Sequence, residues 1–437
     1  MVALSVVSLI SKKIIKPSIP TPLSLKSHKL SFVDQVLHIS IPIAFFYPKV
    51  GNYAAYKSYE PTLVSQLLEK SLSKTLSFYY PYAGRLKNDS SVDCNDTGVE
   101  LSNVRVHCSM SEIFKHPYTE AEHVVFPQAK PHDHSKGNLA IAQVSHFDCG
   151  GLAIGACLSH KIGDGYTASN FLYNWGVLSR DISATPSPRF VGESIYPQCN
   201  DPSDVSSIKY EEPTGYLGKR LIFPATKVNA LKANISLESG VQNPTRTEVV
   251  SALLYKCAVA ARRANNVGSF KPSTLFQVAN MRQRLNPPLS YDACGNVISG
   301  FLVKTTNERE LNCPRLIREM RKEKEKLHDQ QKNATKNTII SEVVDSLEKG
   351  RTPFHSSEVD YYVCSSVLVF PFYNMDFGWG RPARVSMATG PFNKYFFLMD
   401  NQSGGGIEAI VMLGEQDMAI FERDPELLEF AIPIPNH

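Results

Sequence analysis

The first half of the chain shows one clear helical pattern and one clear pattern of paired strands. Apolar residues recur at spacings of three and four over residues 62–77, which predicts an amphipathic helix that Pro81 ends. Residues 139–158 form two strand-like runs on either side of a Gly-Gly pair, which suits a tight reversal. The pattern therefore predicts a β-hairpin whose second strand leads directly to His160.

The second half of the chain mixes strands and helices in the same way. An apolar run at residues 220–223 predicts a strand, and a Thr-x-x-Glu capping box at residues 245–248 precedes a predicted helix over residues 249–261. A mixed-charge helix is predicted over residues 314–327, and a second hairpin over residues 395–413. The sequence therefore predicts an α/β fold with a mixed sheet and helices in each half.

A proline-rich stretch over residues 184–214 separates the two halves. Its prolines lie among Ser, Asp and Gly with little hydrophobic period, and a loop of this length is uncommon inside a compact domain. We therefore predict an N-terminal domain of residues 1–190, a crossover loop of residues 191–215 and a C-terminal domain of residues 216–437.

Composition narrows the class of protein. With 437 residues and 43% hydrophobic residues, the chain can bury a large core. Its 46 basic and 42 acidic residues leave a net charge of +4, which excludes a strongly basic nucleic-acid binder. No apolar run approaches the ~18 residues that cross a bilayer, so no membrane span is predicted. The expected protein is a globular enzyme that acts as a monomer.

The cysteines and the N-terminus indicate the compartment. The nine cysteines are scattered and include no Cys-x-x-Cys pair, which argues against a disulfide framework and against a zinc site. Val2 to Ile10 is a short apolar stretch whose lysines follow it rather than precede it, so it predicts a strand rather than a signal peptide. Buried thiols in the cytoplasm are the expectation.

The segment from His160 to Gly165 is the main candidate for chemistry. A histidine at a strand end is held rigidly and can face a cavity, which suits a general base, and Asp164 either touches the imidazole or braces the loop. A structural core histidine is the competing interpretation. A metal pair is disfavoured because Gly163 and Gly165 weaken a helix and no third ligand is evident. A separate cluster, His132-Asp-His134, is interpreted as a polar loop.

Two further elements carry charged residues beside glycine or proline. Arg282 and Arg284 are predicted to point the same way on one strand, where they would pair with carboxylates such as Asp164 and Asp376. The second element, Asp376-Phe-Gly-Trp-Gly380, contains the Asp-Phe-Gly of protein kinases, but none of the other kinase motifs accompanies it. Asp376 is therefore expected to cap a structural turn or to pair with an arginine.

Taken together and in this order, these elements resemble the plant BAHD acyltransferases, a family of acyl-CoA-dependent transferases. The resemblance covers the chain from about Leu23 to Glu429 and looks closest to the branch of vinorine-synthase-like, capsaicin-synthase-like and acylsugar acyltransferases. It is carried by three motifs: His160-x-x-x-Asp164-Gly165, Asn280-x-Arg282-x-Arg284 with Pro287-Pro288, and Asp376-Phe-Gly378-Trp-Gly380.

The resemblance implies a chloramphenicol-acetyltransferase-like fold of two similar-sized domains joined by a long crossover. It implies a channel between the domains, which acyl-CoA enters from one face and the acceptor from the other. His160 Nε2 would take the proton of an acceptor hydroxyl while the oxygen attacks the thioester carbonyl. Acyl-CoA is a co-substrate, with no permanently bound cofactor and no metal expected.

The resemblance also implies supporting roles for other residues. Asp164 would point away from the substrate and pair with Arg282 to hold the histidine loop, and Asp376 with Gly378 and Gly380 would form a structural element away from the channel. Many relatives carry Trp and a polar residue where this chain has two apolar residues, at 367 and 368. The acceptor side of the channel is therefore expected to be more apolar here.

The predicted function is transfer of a short or branched acyl group from CoA to a hydroxyl of a plant specialised metabolite, most closely an acylsugar such as a sucrose ester. Acylation of an alkaloid or an aromatic amine is the alternative acceptor chemistry. A catalytically idle relative that binds metabolites or other acyltransferases is an alternative of another class, and a metal-dependent hydrolase using His132, His134 and His160 is a third.

Overall fold

Two mixed β-sheets form the frame of the molecule, in a computed structural model that describes residues 7–48, 60–116, 118–127, 137–198, 215–266, 270–333, 358–387 and 393–433. The strands, in chain order, are Val7–Ile15 (β1), Ser27–Lys29 (β2), Ser40–Tyr47 (β3), Arg85–Asn88 (β4), Ser91–Asp93 (β5), Val99–Val106 (β6), Ala140–Phe147 (β7), Leu152–Ser159 (β8), Arg189–Phe190 (β9), Tyr216–Phe223 (β10), Ser273–Asn280 (β11), Ala293–Cys294 (β12), Ile298–Thr305 (β13), Asp360–Ser366 (β14), Arg384–Ser386 (β15), Tyr395–Asp400 (β16), Ile407–Gly414 (β17) and Ile432–Pro433 (β18).

Helices cover the sheets. They are Phe32–Val36 (α1), Pro61–Phe78 (α2), Met110–Lys115 (α3), Gly165–Arg180 (α4), Gly192–Ile195 (α5), Ala225–Ser239 (α6), Arg246–Asn265 (α7), Cys313–Asn333 (α8), Glu415–Phe421 (α9) and Pro425–Phe430 (α10). Short 3-10 helices are Leu23–Leu25, Tyr80–Ala83, Thr119–Val125, Glu308–Glu310 and Phe372–Asn374. Within the described residues, no helix is both long and apolar enough to cross a membrane.

Both large sheets combine parallel and antiparallel pairs. The first has the strand order β1-β6-β7-β8-β3-β15 and the second β13-β11-β14-β16-β17-β10-β18. In the first sheet β6 and β7 are parallel, and the other neighbours are antiparallel. In the second sheet β14 is parallel to both β11 and β16. The predicted α/β class with mixed sheets is therefore confirmed.

One strand of the second half belongs to the first sheet. Strand β15 pairs antiparallel with β3 and places Arg384 opposite Phe46. The sequence pattern did not predict that a strand of the second half would complete the sheet of the first half. The physical reason is that β3 would otherwise end the sheet with unpaired backbone groups, which a passing segment of the second half satisfies.

Most of the predicted elements lie where the pattern placed them. The two predicted hairpins are β7 with β8 and β16 with β17, each antiparallel. The three predicted helices are α2, α7 and α8, each longer than its hydrophobic pattern because the polar terminal turns also take part. At the start of α7, Thr245 and Glu248 exchange both hydrogen bonds of the predicted capping box.

Two predicted segments lie only partly within the described residues. The predicted N-terminal strand begins at Val7 and continues to Ile15, and residues 1–6 lie outside the description. The proline-rich stretch is more regular than predicted, since β9 and α5 lie within it, and residues 199–214 lie outside the description.

The apolar face of α2 packs beneath the first sheet and against α4. Trp175 of α4 is fully buried, and its indole N–H donates to Leu68 O at 3.3 Å and to Ser71 Oγ at 3.1 Å of α2. A buried indole needs such a partner, so the two helices are fixed in register as well as packed. Because α4 begins at Gly165, this packing also holds the segment that follows His160.

Candidate active site

A cavity of about 140 Å³ lies where the two sheets face each other. Both halves of the chain contribute to its wall, from β3 and the start of α4 on one side and from β11, β14, β16 and β17 on the other. The wall is mainly apolar, with members such as Ile41, Val278, Phe372, Phe397 and Met412. His160 and the hydroxyls of Ser365 and Ser366 are among the few polar groups that line it.

His160 follows the last residue of β8 and lines this cavity. Its backbone N–H donates to Ile39 O at 2.8 Å, which ties the end of β8 to the start of β3. The imidazole lies deep, yet it remains partly accessible because one side borders the cavity. Burial lowers the pKa of His160 below its ordinary 6.5, which favours the neutral form that can accept a proton.

Asp164 faces away from the imidazole and towards the second half of the chain. Its carboxylate accepts from Arg282 Nη1 at 2.6 Å and from Arg282 Nη2 at 3.0 Å, and both side chains are about 3% exposed. Asp164 also caps α4, because Oδ1 accepts from Thr167 N at 3.0 Å. Of the two positions left open by the spacing, the carboxylate takes the one that braces the loop.

The ionisation of Asp164 depends on its arginine partner. Burial by itself raises the pKa of a carboxyl group, but Arg282 and the backbone N–H groups of Thr167 and Val297 bring the pKa of Asp164 below its ordinary 3.8. The charge is therefore retained inside the protein, in a bidentate pair that joins the His160 segment to the second half.

Arg282 does not lie on a strand, contrary to prediction. Strand β11 ends at Asn280, and Arg282 belongs to the turn that follows. There its guanidinium also donates to Ala293 O and Gly295 O, each at 3.0 Å, and lies 4.6 Å from the ring centre of Tyr166. In the turn, the Arg282 side chain can fold back towards Asp164. On a strand it would project perpendicular to the sheet and could not reach that carboxylate in the same way.

Arg284 does not share this pairing. Its guanidinium donates to Asn280 O, so the two arginines do not act as a parallel pair. The predicted contact of these arginines with Asp376 is wrong, because the arginine nearest to that carboxylate is Arg180, at 3.5 Å. Asp376 pairs with Arg180 because the turn that carries Asp376 packs against the C-terminal end of α4, where Arg180 lies.

The element around Asp376 lies away from the cavity wall and forms a turn. One oxygen of Asp376 accepts from Gly378 N at 2.8 Å and from Gly380 N at 2.9 Å. Both glycines have positive φ, 116° and 96°, which side chains disfavour. Trp379 stacks on Phe377 with ring centres 6.0 Å apart and meets Tyr47 of β3 edge-on. The turn therefore fastens the second half of the chain to the first sheet.

Asn296 is a site residue that the sequence motifs did not single out. It is buried, and its Nδ2 donates to Asp34 Oδ1 at 2.6 Å and to His160 O. It directly follows Gly295, whose φ of 128° turns the chain towards His160. The signal in the sequence was a Gly-Asn pair just before a strand, which is too common to indicate a contact with a histidine 136 residues away.

Two hydroxyl groups on β14 also went unnoticed in the sequence. Ser365 and Ser366 line the cavity, and Tyr395 OH donates to Ser365 Oγ. Val367 lines the same cavity, whereas Leu368 turns into the core of the second half, so only one of the two apolar positions borders the cavity.

The remaining candidates are the His132-Asp-His134 segment and the possible metal ligands. The predicted polar loop with His132 and His134 lies outside the described residues. Within the ranges that the structure does describe, no group of three or more His, Cys, Asp or Glu side chains is arranged to hold a metal ion.

A two-sheet fold with a histidine in a cavity shared by both halves suits a transferase that brings two substrates together, and comparison with known proteins identifies the class. The model of the Transferase family matches residues 5–428. Acyltransferase Pun1 of Capsicum frutescens is 46% identical over 98% of both chains, and acylsugar acyltransferase 3 of Solanum lycopersicum is 39% identical over 98% of both. The crystal structure of vinorine synthase superimposes with a TM-score of 0.83 at 30% identity, over 98% of this chain and 99% of that one.

The chain therefore belongs to the Transferase family, the BAHD acyltransferases. It is an acyl-CoA-dependent acyltransferase.

Proposed function

We propose that this enzyme transfers a short or branched acyl group from CoA to a hydroxyl of an acylsugar, with His160 as the general base. The observation that carries the proposal is the position of His160 in a cavity whose wall both halves of the chain build. Its Nδ1 is buried, so Nε2 is the ring nitrogen left to face the cavity. A base held on a rigid strand end beside an enclosed space is suited to proton transfer from a bound alcohol.

The reaction follows from this placement. His160 Nε2 accepts the hydroxyl proton while the alcohol oxygen forms a bond to the thioester carbonyl carbon. The carbonyl π electrons move to oxygen and give a tetrahedral intermediate. When that intermediate collapses, the carbon–sulfur bond breaks, CoA leaves as thiolate, and the imidazolium returns its proton to the sulfur. The products are the ester and free CoA, and the histidine is regenerated.

The negative oxygen of the tetrahedral intermediate needs a hydrogen-bond donor. We assign this role to Ser365. Because Tyr395 OH donates to Ser365 Oγ, the hydroxyl hydrogen of Ser365 remains free to be donated towards the cavity. The neighbouring Ser366 is less suited, since its Oγ lies 3.3 Å from Thr247 Oγ1 and shares a hydrogen bond with it.

Removal of this donor should slow the chemical step. We expect Ser365→Ala to lower kcat by about 10²-fold, in the range found for a lost oxyanion donor, with little change in the KM for acyl-CoA. Ser365→Thr keeps the hydroxyl and is the matched control, so it should retain most of the activity. Equal kcat values for Ser365→Ala and the wild type, measured by release of CoA thiol, would exclude Ser365 from this role.

The acylsugar acceptor is supported by the 39% identical acylsugar acyltransferase. A partly acylated sugar presents a free hydroxyl beside apolar chains, which suits a cavity lined mainly by aliphatic and aromatic residues. The same apolar wall favours a second candidate, acylation of an alkaloid or an aromatic amine, because those acceptors bury a ring system rather than free hydroxyl groups.

A matrix of donors and acceptors distinguishes these candidates. The purified enzyme would be incubated with acetyl-, isobutyryl- and isovaleryl-CoA, each with partly acylated sucrose, a hydroxylated alkaloid or an aromatic amine. Free thiol and product mass are the readouts. We expect CoA release and one added acyl group with the sucrose ester. Product from the alkaloid or the amine alone would replace the acylsugar by that acceptor class. Saturable CoA binding without turnover on any acceptor would indicate a catalytically idle protein that only binds metabolites.

A further inference from the structure

Two buried polar atoms of the site, His160 Nδ1 and Asn296 Oδ1, form no hydrogen bond of good geometry. The surroundings that act on the imidazole by hydrogen bonding are the Asn296 side chain and the backbone of His160 itself. The Asn296 side chain lies close enough to act on the imidazole through hydrogen bonding, and it also binds His160 O. A buried polar atom without a well-formed hydrogen bond destabilises the folded protein. An amide oxygen can only accept, so the two atoms complement each other when Nδ1 carries the proton.

The orientation of the Asn296 amide is decided by its other contacts. Nδ2 lies 2.6 Å from Asp34 Oδ1 and also donates to His160 O. A carbonyl oxygen and a carboxylate oxygen are both acceptors, so only the NH₂ end of the amide can face them. The amide oxygen is consequently left on the other side, where it can serve His160 Nδ1.

Asp34 determines this arrangement because its own oxygens are committed. Asp34 lies in the first turn of α1 and is 2% exposed. Its Oδ2 accepts from Ser31 N at 2.6 Å, and its Oδ1 accepts from Asn296. The buried ammonium of Lys161, the residue after His160, donates to Gln35 O and provides positive charge near the carboxylate.

We propose that Asp34 is a positioning residue for acyl transfer, which acts through Asn296 to keep the proton of His160 on Nδ1 and to leave Nε2 free as the base. The inference rests on the proposed role of His160. In many active sites a carboxylate bound directly to a histidine fixes which ring nitrogen carries the proton. A carboxylate that holds an amide, which in turn accepts from the histidine, has the same effect on the tautomer. Here Asp164 cannot do so, because its oxygens are engaged by Arg282.

Asp34→Asn tests the proposal with a change of two atoms. The new amide can keep its oxygen on Ser31 N, but its NH₂ group then faces the NH₂ group of Asn296. Reversal of the Asn296 amide relieves that conflict and presents a donor to His160 Nδ1, which favours the wrong tautomer, and it also breaks the hydrogen bond from Asn296 Nδ2 to His160 O. We expect kcat to fall by roughly 10- to 100-fold, the size of effect found for residues that orient a ligand or base. The KM for acyl-CoA should stay within about twofold.

Two matched variants separate positioning from helix capping. Ser31→Ala removes the hydroxyl that accepts from Asp34 N at 3.1 Å and its contact with the Asp34 carboxylate, but it leaves the hydrogen bonds that Ser31 N and Asn296 Nδ2 donate to that carboxylate. Glu112→Gln makes the same acid-to-amide change in the capping box of α3, away from the cavity. Both variants should keep the wild-type kcat, even where Ser31→Ala lowers the melting temperature. A loss of kcat in Ser31→Ala as large as that in Asp34→Asn would overturn the proposal.

A double variant tests whether Asp34 acts through Asn296. If it does, Asp34→Asn combined with Asn296→Ala should be no slower than Asn296→Ala alone. If the two substitutions instead lower kcat multiplicatively, Asp34 does not act through Asn296. A folded Asp34→Asn enzyme with kcat within about twofold of the wild type would also contradict the proposal, because displacement of an orienting residue causes a much larger loss.

The tautomer can also be observed in the wild-type protein, whether or not a variant folds. Two-bond ¹H–¹⁵N correlation spectra of ¹⁵N-histidine-labelled enzyme should show the His160 signal with Nδ1 protonated, assigned by its absence in His160→Gln. A signal with Nε2 protonated would refute the inference. If the wild-type enzyme transfers no acyl group to any acceptor, the proposed function is wrong. The tautomer of His160 is measured independently of that result, so the two failures can be told apart.

Discussion

Replacement of His160 by alanine is expected to lower kcat by ~10²–10⁴-fold, because the acceptor hydroxyl then loses the base that takes its proton. The cavity wall is otherwise mainly apolar, Ser365 and Ser366 do not ionise at neutral pH, and the carboxylate of Asp164, which also borders the cavity, is held by Arg282, so no neighbouring group can replace the imidazole. The measurement is initial-rate release of CoA thiol with the acceptor that the substrate matrix identifies. Acyl-CoA binding should persist, since the loss concerns proton transfer.

A surface histidine is the control for this substitution. His107 contacts Ser8 and lies near Asp148 at the far side of the first sheet, so His107→Ala should keep wild-type kcat. A folded His160→Ala enzyme with near-normal turnover would show that the mechanism is wrong. Circular dichroism and the melting temperature establish that the variant is folded.

The pH dependence of the wild type provides a second test of His160. Burial lowers the pKa of His160 from its ordinary 6.5, and the neutral ring is the active form. The value of kcat/KM should therefore be level at neutral pH and should fall only as pH drops below 6.5. Burial raises the pKa of Asp34 to about 6, so its protonation in the same acid range would weaken the orientation of Asn296 and steepen the fall.

Arg282→Met is expected to destabilise the enzyme by ~3–5 kcal/mol, because it leaves the Asp164 carboxylate buried without its counter-charge. The pair is only 3% exposed on each side, and Arg282 makes further bonds to Ala293 O and Gly295 O that methionine cannot make. Urea unfolding at neutral pH measures the loss. Activity should fall as well, since the loop that carries His160 loses its anchor.

Two comparisons make this prediction specific. Arg180→Met breaks the half-exposed pair with Asp376 and should cost only ~0–1 kcal/mol. Arg282→Met combined with Asp164→Asn removes the orphaned charge and should recover part of the stability. An Arg282→Met enzyme as stable as the wild type would contradict the importance of this pair.

Acid should reduce the difference between Arg282→Met and the wild type. The pKa of Asp164 is lowered in the folded wild type, so its ionisation contributes stability that is present above the unfolded value of 3.8 and is lost as pH falls through the folded value. In Arg282→Met that contribution is already missing at neutral pH. The two unfolding free energies should therefore converge in acid.

Local patterns predicted much of the fold. The hairpin that carries His160, the capping box of α7 and the long helices α2 and α8 all follow from residue spacing, because each depends on neighbours within a few residues. The prediction failed for Arg282, whose strand ends two residues earlier, because strand length depends on its partners and not only on its own residues.

The sequence by itself determined which chemistry this protein can carry: a histidine at the end of a strand, an aspartate four residues later, and a glycine-rich turn around Asp376. Only the tertiary structure decided the partners. It brings Arg282 to Asp164 across 118 residues and joins Asp34 to Asn296 across 262 residues. Such contacts depend on the path of the whole chain. A buried charge or amide without a hydrogen-bond partner is costly, so the folded structure is one in which each of these groups meets a partner of the right kind.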